Sequence, residues 1–216
     1  SYNNTLRNTI FFNRSYTKYS VEYTYLNNNI KTLLLNGFQT IGRISNFVKI
    51  RWNITRKYTL ILAGDFGEEY SASNFLSDGN FTILYQSIVP EFRFQPNPSF
   101  RISLNGDLTK KNNSDAELDQ AATIIGLGLE SQYNIVSKGS MFANFKVLNI
   151  DYSGPENTPS QIEMLETLRP GLNLTWSLTW QWNITRYLQL SANYNGRSSE
   201  KSKSIHVGGI NIRAFF

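Results

Sequence analysis

His206 is the sole histidine of the chain, and cysteine is absent. An outer-surface hydrolase or acyl transferase needs a nucleophile and a base held side by side, and a cysteine-based zinc, redox or disulfide site needs thiols. The thiol chemistries are excluded, and His206 is the one imidazole that could serve as a base. His206 alternates with Gly208, Ile210 and Ile212 on what reads as an apolar face, so it is expected at the rim of a wall and not in a catalytic pair. A carboxylate mechanism would need converging acids at one rim. Asp65, Glu68 and Glu69 form such a group, with Asp115 and Glu117 as neighbours from another segment. As a cluster in and beside loops they read as solvated acids. No glycine-rich phosphate loop is present, and the 21 Lys and Arg against 16 Asp and Glu, net +5, form no contiguous basic patch. The expectation is therefore no catalytic residue, no cofactor, no metal and no nucleic acid. The positive balance suits anionic lipid headgroups.

The elements that carry these residues follow a period of two. Leu172, Leu174, Trp176, Leu178, Trp180, Trp182 and Ile184 alternate without interruption with Asn173, Thr175, Ser177, Thr179, Gln181 and Asn183. A helix cannot use that spacing, whereas a strand with two differently solvated faces requires it. Val48, Ile50 and Trp52 against Lys49 and Arg51 repeat the pattern. So do Phe100, Ile102 and Leu104 against Arg101 and Ser103. The alternation predicts strands over 4–13, 16–26, 43–55, 58–69, 80–95, 99–110, 121–135, 140–152, 172–184, 187–197 and 203–216. Short turns alternate with longer connections at 27–42, 70–79, 111–120 and 153–171. Segment 30–38 could add a short strand inside its loop, and 160–169 a helical turn. Pro90 removes a ladder donor, so a bulge or distortion is expected there. The uneven alternation of 140–152 suggests a second bulge near Leu148.

Strands of about 10–13 residues exceed the five or six usual in a soluble sandwich and match the 9–11 tilted residues of a membrane crossing. Mean hydropathy is −0.35 and charged residues are 17%. Both values suit a wall that is apolar outside and wet inside. The fold class is therefore all-β, a transmembrane antiparallel up-and-down barrel. Phe12, Trp52, Phe94, Phe100, Tyr133, Trp182 and Phe216 all stand beside short turns or at the C-terminus, where one membrane-interface ring is expected. Lys49, Arg51, Asp65, Glu91, Arg93, Arg101, Asp107, Glu130, Lys146 and Arg213 fall on the polar parity and are expected to face the lumen. Their mixed signs read as cross-wall pairing, with ion selection as the alternative.

Ile210, Ile212, Ala214 and Phe216 resemble the C-terminal assembly signal of bacterial outer-membrane barrels, although Ala214 is smaller than the residue often found at its place. Leu168 to Asn173, Tyr194 to Arg197 and Ile205 to Gly209 look like the closing hairpin and strand of large surface barrels in Bacteroidota. The resemblance implies the outer membrane, a periplasmic C-terminus, outer-membrane lipid or lipopolysaccharide around the wall, the barrel-assembly machinery, and other envelope proteins as partners. Such barrels have even strand numbers. Eleven strands therefore imply either the C-terminal portion of a larger barrel, the favoured expectation, or a miscounted strand near 30–42 in a single domain spanning 1–216. The expected role is a structural scaffold or conduit in a secretion, uptake or barrel-assembly complex. A stand-alone solute pore is the alternative, and a barrel enzyme is disfavoured.

Overall fold

The computed structural model describes residues 1–15, 18–35, 37–75, 79–114, 119–200 and 202–215. Along the chain come β1 (Tyr2–Phe12), β2 (Tyr19–Leu34), β3 (Gly37–Asn53), β4 (Tyr58–Ser73), β5 (Phe81–Asn97), β6 (Phe100–Asn113), β7 (Gln120–Ile135) and β8 (Gly139–Ser153). Helix α1 (Pro159–Met164), β9 (Gly171–Asn183), β10 (Leu188–Ser199) and β11 (Ile205–Ala214) follow. All eleven strands join one antiparallel sheet in sequence order. It is open: among the described residues, β1 pairs only with β2 and β11 only with β10.

The register reveals how the strands lean. Phe12, at the turn end of β1, lies in a row with Val21, Ile50, Leu62 and Pro90. The row continues through Leu127, Val147 and Leu174 to Ser198. Ser198 is 198 − 188 = 10 residues above the start of β10. Ten residues of stagger over the nine steps from β1 to β10 is about 34 Å along the strands for about 43 Å across them. With the short turns at one level, the tilt is about 38°, inside the roughly 35–45° of membrane barrels.

Three expectations about local structure need correction. The long connection at 27–42 does not exist, nor does a separate strand at 30–38. β2 runs to Leu34 and β3 starts at Gly37, so the strands pair up to Leu34↔Gly37. Asparagine disfavours strands, but here the run Asn27-Asn28-Asn29 is paired on both sides and bonded through its side chains. Thr5 Oγ1 donates to Asn28 Oδ1 at 2.8 Å, and Asn29 Nδ2 to Asn27 Oδ1 at 2.9 Å. No strand is gained in this region, and the count among the described residues stays at eleven. Pro90 causes the expected local distortion but no bulge. The pairs Ile88↔Leu108 and Glu91↔Asn105 keep one register on either side of it, and only the intervening ladder to β6 is missing. The register shift of that hairpin lies between Phe94 and Asn97, at its turn. Near Leu148 the register with β7 and β9 is unbroken. The irregular pattern there has another cause, in the packing of α1.

The six described residues of the expected interface ring, Phe12, Trp52, Phe94, Phe100, Tyr133 and Trp182, share one face and stand at the short-turn ends of their strands. Tyr58 stacks on Phe94 at 5.0 Å. No described protein element covers this outer face, and Leu127 and Ile125 are more than half exposed on it. Ile210, Ile212 and Ala214 lie on the same face, opposite Ala192, Leu190 and Leu188. Phe216 lies outside the described residues, as do Asp115 and Glu117.

Candidate functional site

The opposite, inner face is the one α1 lies on. Its lower part, towards the short turns, is ionic. Lys49, Arg51, Glu91, Arg93, Arg101, Asp107, Glu130, Lys146 and Arg213 occupy inner register positions there, and Asp65 occupies one at the boundary with the upper part. Some are tied locally. Arg93 donates to Glu91 at 2.8 Å, Thr109 to Asp107 at 2.8 Å, and Asn144 to Glu130 at 3.3 Å. Both signs alternate around the wall, as a solvated interior allows.

The upper part is built differently, because the β8–β9 connection folds back over it. Thr158 caps α1, its hydroxyl accepting from Gln161 N at 3.2 Å, with Pro159 in the first turn. The helix is only six residues long, and side-chain anchors hold it. Met164 and Leu165 sink into Ile83, Ala122, Ile124, Leu148 and Ile150 of the wall, with Met164 fully buried. Gly126 makes the seat: a Cβ there would stand 2.3 Å from Leu148 Cδ2. Ser160 Oγ donates to Gln120 Oε1 at 2.6 Å. At the far end Asn173, fully buried, donates to the carbonyl of Arg169 at 2.7 Å and accepts from Ser199 at 2.6 Å. This accounts for β8. Lys146 lies below the apolar cluster, whereas Leu148 and Ile150, on the same face two and four residues higher, pack against α1.

Charges that the sequence reading missed hold this upper part. Arg43 forks to Asp65 and Glu69, both at 3.0 Å, and lies over the Tyr85 ring at 5.1 Å. Asp65 also accepts from Ser45 at 2.6 Å. Lys111, its side chain only 8% exposed, threads past the apolar cluster to reach Glu166 at 2.9 Å. Of the acids read as a rim cluster, Asp65 and Glu69 are therefore engaged inside, while Glu68 pairs with Ile44 on the outer parity. The signal for Arg43 was its spacing of six residues from Lys49, which keeps it on the same face of one long strand. The assumed loop hid it.

His206 stands on the outer face opposite Gly196. Its Nδ1 is 2.7 Å from Tyr194 Oη, and its ring lies against Trp176. Gly196 leaves the space that the Trp176 indole crosses, since a Cβ there would be 2.2 Å from the ring. The imidazole is part of an aromatic cluster, and no nucleophile is placed beside it among the described contacts. Between α1 and the upper inner wall of β2–β4 lies a cavity of about 650 Å³, reached by Ile30, Leu34, Ile41, Arg43, Glu69, Phe81, Ile162 and Glu163. Among the described residues, no group of acids and histidine is arranged to hold a metal ion.

No protein-family model and no curated protein sequence matches the chain. Among solved structures it is similar to the CymD monoaromatic hydrocarbon channel, with a TM-score of 0.51 over 96% of this chain and 77% of that one, at 8% identity. That likeness concerns the fold. The sheet is an antiparallel up-and-down wall like that of the neighbour's barrel, and it is open.

Proposed function

We propose that the chain forms part of a bacterial outer-membrane barrel that serves as a conduit or scaffold in an envelope complex. Its lumen is narrowed at the long-loop end by its own β8–β9 segment. The observation that carries this reading is the division of the wall. The outer face is apolar and uncovered, and the inner face is ionic below and packed by α1 above. A helix anchored by Met164, Leu165 and the Lys111–Glu166 pair is a fixture of the wall, which favours a scaffold or gated conduit over an open pore. The two free edges support membership of a larger barrel. Unpaired strand edges in hydrocarbon cost several kcal/mol per unmet group. β1 and β11 run in the same direction, so neither supplies the other with an antiparallel partner. In this reading the C-terminus is periplasmic, the six turn-end aromatics meet lipid or lipopolysaccharide headgroups, and the last strand is presented to the assembly machinery. The closing segments keep the resemblance to Bacteroidota surface barrels. The name of the structural neighbour, a hydrocarbon channel, supports transport through the wall as the second reading, as does the ionic lower lumen.

Planar-bilayer conductance separates the two. A scaffold or gated conduit gives little current until residues 156–168 are replaced by a short glycine-serine loop, after which conductance rises. High conductance from the unaltered protein favours the open pore. Cysteines at Trp176, Trp180, Thr175 and Thr179, probed with an impermeant thiol reagent in liposomes, test the wall itself. Only the two threonine positions should label, and equal labelling of both faces sinks the barrel reading.

A further inference from the structure

Above the Arg43 ion pairs, the inner wall departs from both patterns already described. Ile30 and Ile41 face each other there on the inner parity of β2 and β3, and Leu34 follows at the top of β2. With Phe81 from β5 and Ile162 from α1 they wall the cavity of about 650 Å³. Phe81 also packs against the buried cluster beneath Met164, whereas Ile30, Leu34, Ile41 and Ile162 are not part of it. Ile41 is 49% exposed and Ile162 is 54% exposed, although both lie inside the curve of the wall. Apolar surface held open to water inside a lumen is an unused contact area, at about 25 cal/mol per Å². The volume falls within the roughly 300–1,000 Å³ of small-molecule sites.

The charge around the cavity is one-sided. Arg43 is already engaged by Asp65 and Glu69, and Glu163 of α1 adds a further carboxylate to the lining. Arg43 is the one cation of the described lining and stands against Glu69 and Glu163, which leaves an excess of one negative charge next to an apolar wall, with Lys111 near enough to act on Glu69 from outside the cavity. An anion would meet that surplus unfavourably, and a neutral apolar molecule would gain only the wall. We propose that this cavity binds a small molecule with an apolar body and one positive charge, an arylalkyl or branched aliphatic amine. The apolar body lies against Ile41, Leu34 and Ile162, and the ammonium is directed to Glu163 and Glu69. The proposal rests on the conduit reading, because it needs an inner face that solutes reach.

The test uses the whole barrel protein of which this chain forms part, purified from outer membranes in detergent and first checked for heat-modifiable migration. It is titrated by calorimetry with phenethylamine, 2-phenylethanol and 3-phenylpropionate. The amine should bind about tenfold more tightly than the alcohol, and the carboxylate most weakly. Glu163→Gln should weaken the amine about fivefold, the scale of one partly solvated charge contact, and leave the alcohol unchanged. Ile41→Gln should weaken amine and alcohol alike. Both positions are exposed, and heat-modifiable migration of each variant verifies that it is folded. Equal binding of the three compounds, a preference for the carboxylate, or no binding by heat-modifiable protein overturns the site and leaves the conduit standing. Absence of heat modification in the unaltered whole barrel protein, or equal thiol labelling of both faces, overturns the conduit and the site with it.

Discussion

β8 crosses two environments on one face, and its residues record the change. At Asn144 and Lys146 the inner face is wet and its charges are loosely paired. At Leu148 and Ile150 the same face is a dry floor under Met164 and Leu165. An alternating strand has no intrinsic inside, and each inner position takes the character of whatever fills the lumen at that height. Water selects charge in the lower half, and a folded-back segment selects aliphatic side chains in the upper half. The two halves should therefore answer the same kind of substitution very differently.

The largest effect is expected at the dry floor. Ile150→Ala should cost about 2–5 kcal/mol and leave a cavity beneath Met164. Ile150→Asp should cost more, because a buried carboxylate there has no described cation to meet. Lys146→Ala, one inner position below Leu148, should stay within about 0.5 kcal/mol. Urea unfolding of the protein in lipid vesicles, followed by tryptophan fluorescence, measures all three. Equal costs at Lys146 and Ile150 would erase the division of the lumen.

A similar contrast holds through the wall. Leu178 is five residues above the end of β9 at Asn183, which at about 38° of tilt places it about 13 Å up a lipid band of about 25 Å. Leu178→Arg should cost about 2–4 kcal/mol, whereas Ser177→Arg, facing the wet lumen, should cost little. A reversed order would mean that inner and outer are exchanged.

Much of this was legible before any coordinates. In β9 the thirteen-residue alternation is strict, with apolar residues on the uncovered outer face and polar ones on the inner face, including the buried Asn173, so strand, face and class all followed. The pattern failed where a second protein surface replaced solvent on one face. Leu148 looked like a register error because nothing in a strand's own sequence announces that residues 159–165 will land on it. Asn27 to Asn29 looked like loop because local preference outweighed a pairing partner that was not yet visible. With that stretch taken for loop, Arg43 became the first residue of a strand instead of a mid-strand anchor, and its fork to Asp65 and Glu69 disappeared. Lys111 was lost in the same way when β6 was ended at 110. The ionic lower lumen was readable in outline, but the cavity and the α1 anchors arise from long-range packing alone.

The ion pair at the edge of the dry floor should show an intermediate effect. Lys111 is buried and its described ion-pair partner, Glu166, is 67% exposed. Glu166→Gln removes a solvated carboxylate, which is cheap in itself, but leaves an ammonium in the apolar cluster. The expected loss is about 1–3 kcal/mol, that of a buried group left without its partner. Lys111→Met in the same background should recover most of it by replacing the charge with an aliphatic chain of similar length. If the double variant is no better than Glu166→Gln alone, the stranded charge is not the cause.

The smallest effect belongs to the lower lumen and bears most directly on how far the filling extends. Arg93 and Glu91 are bonded at 2.8 Å, with side chains 28% and 21% exposed, and both are on β5. A pair on one strand two residues apart closes no tertiary contact, so its loss does not loosen the sheet. In a water-filled lumen the two ions are each hydrated when separated, and Arg93→Ala should change stability by no more than about 0.5 kcal/mol. The small difference should shrink further between 0.05 and 0.5 M salt, as solvent-accessible pairs do over a Debye length of a few ångströms to about 14 Å. A loss above about 2 kcal/mol that is indifferent to salt would signify a dry site and a charge left unpaired. That outcome would carry the plug down to the level of β5's turn and turn the conduit reading into one of a closed scaffold. A small, salt-screened effect keeps water in the lower half and leaves α1 as the boundary between the two regions.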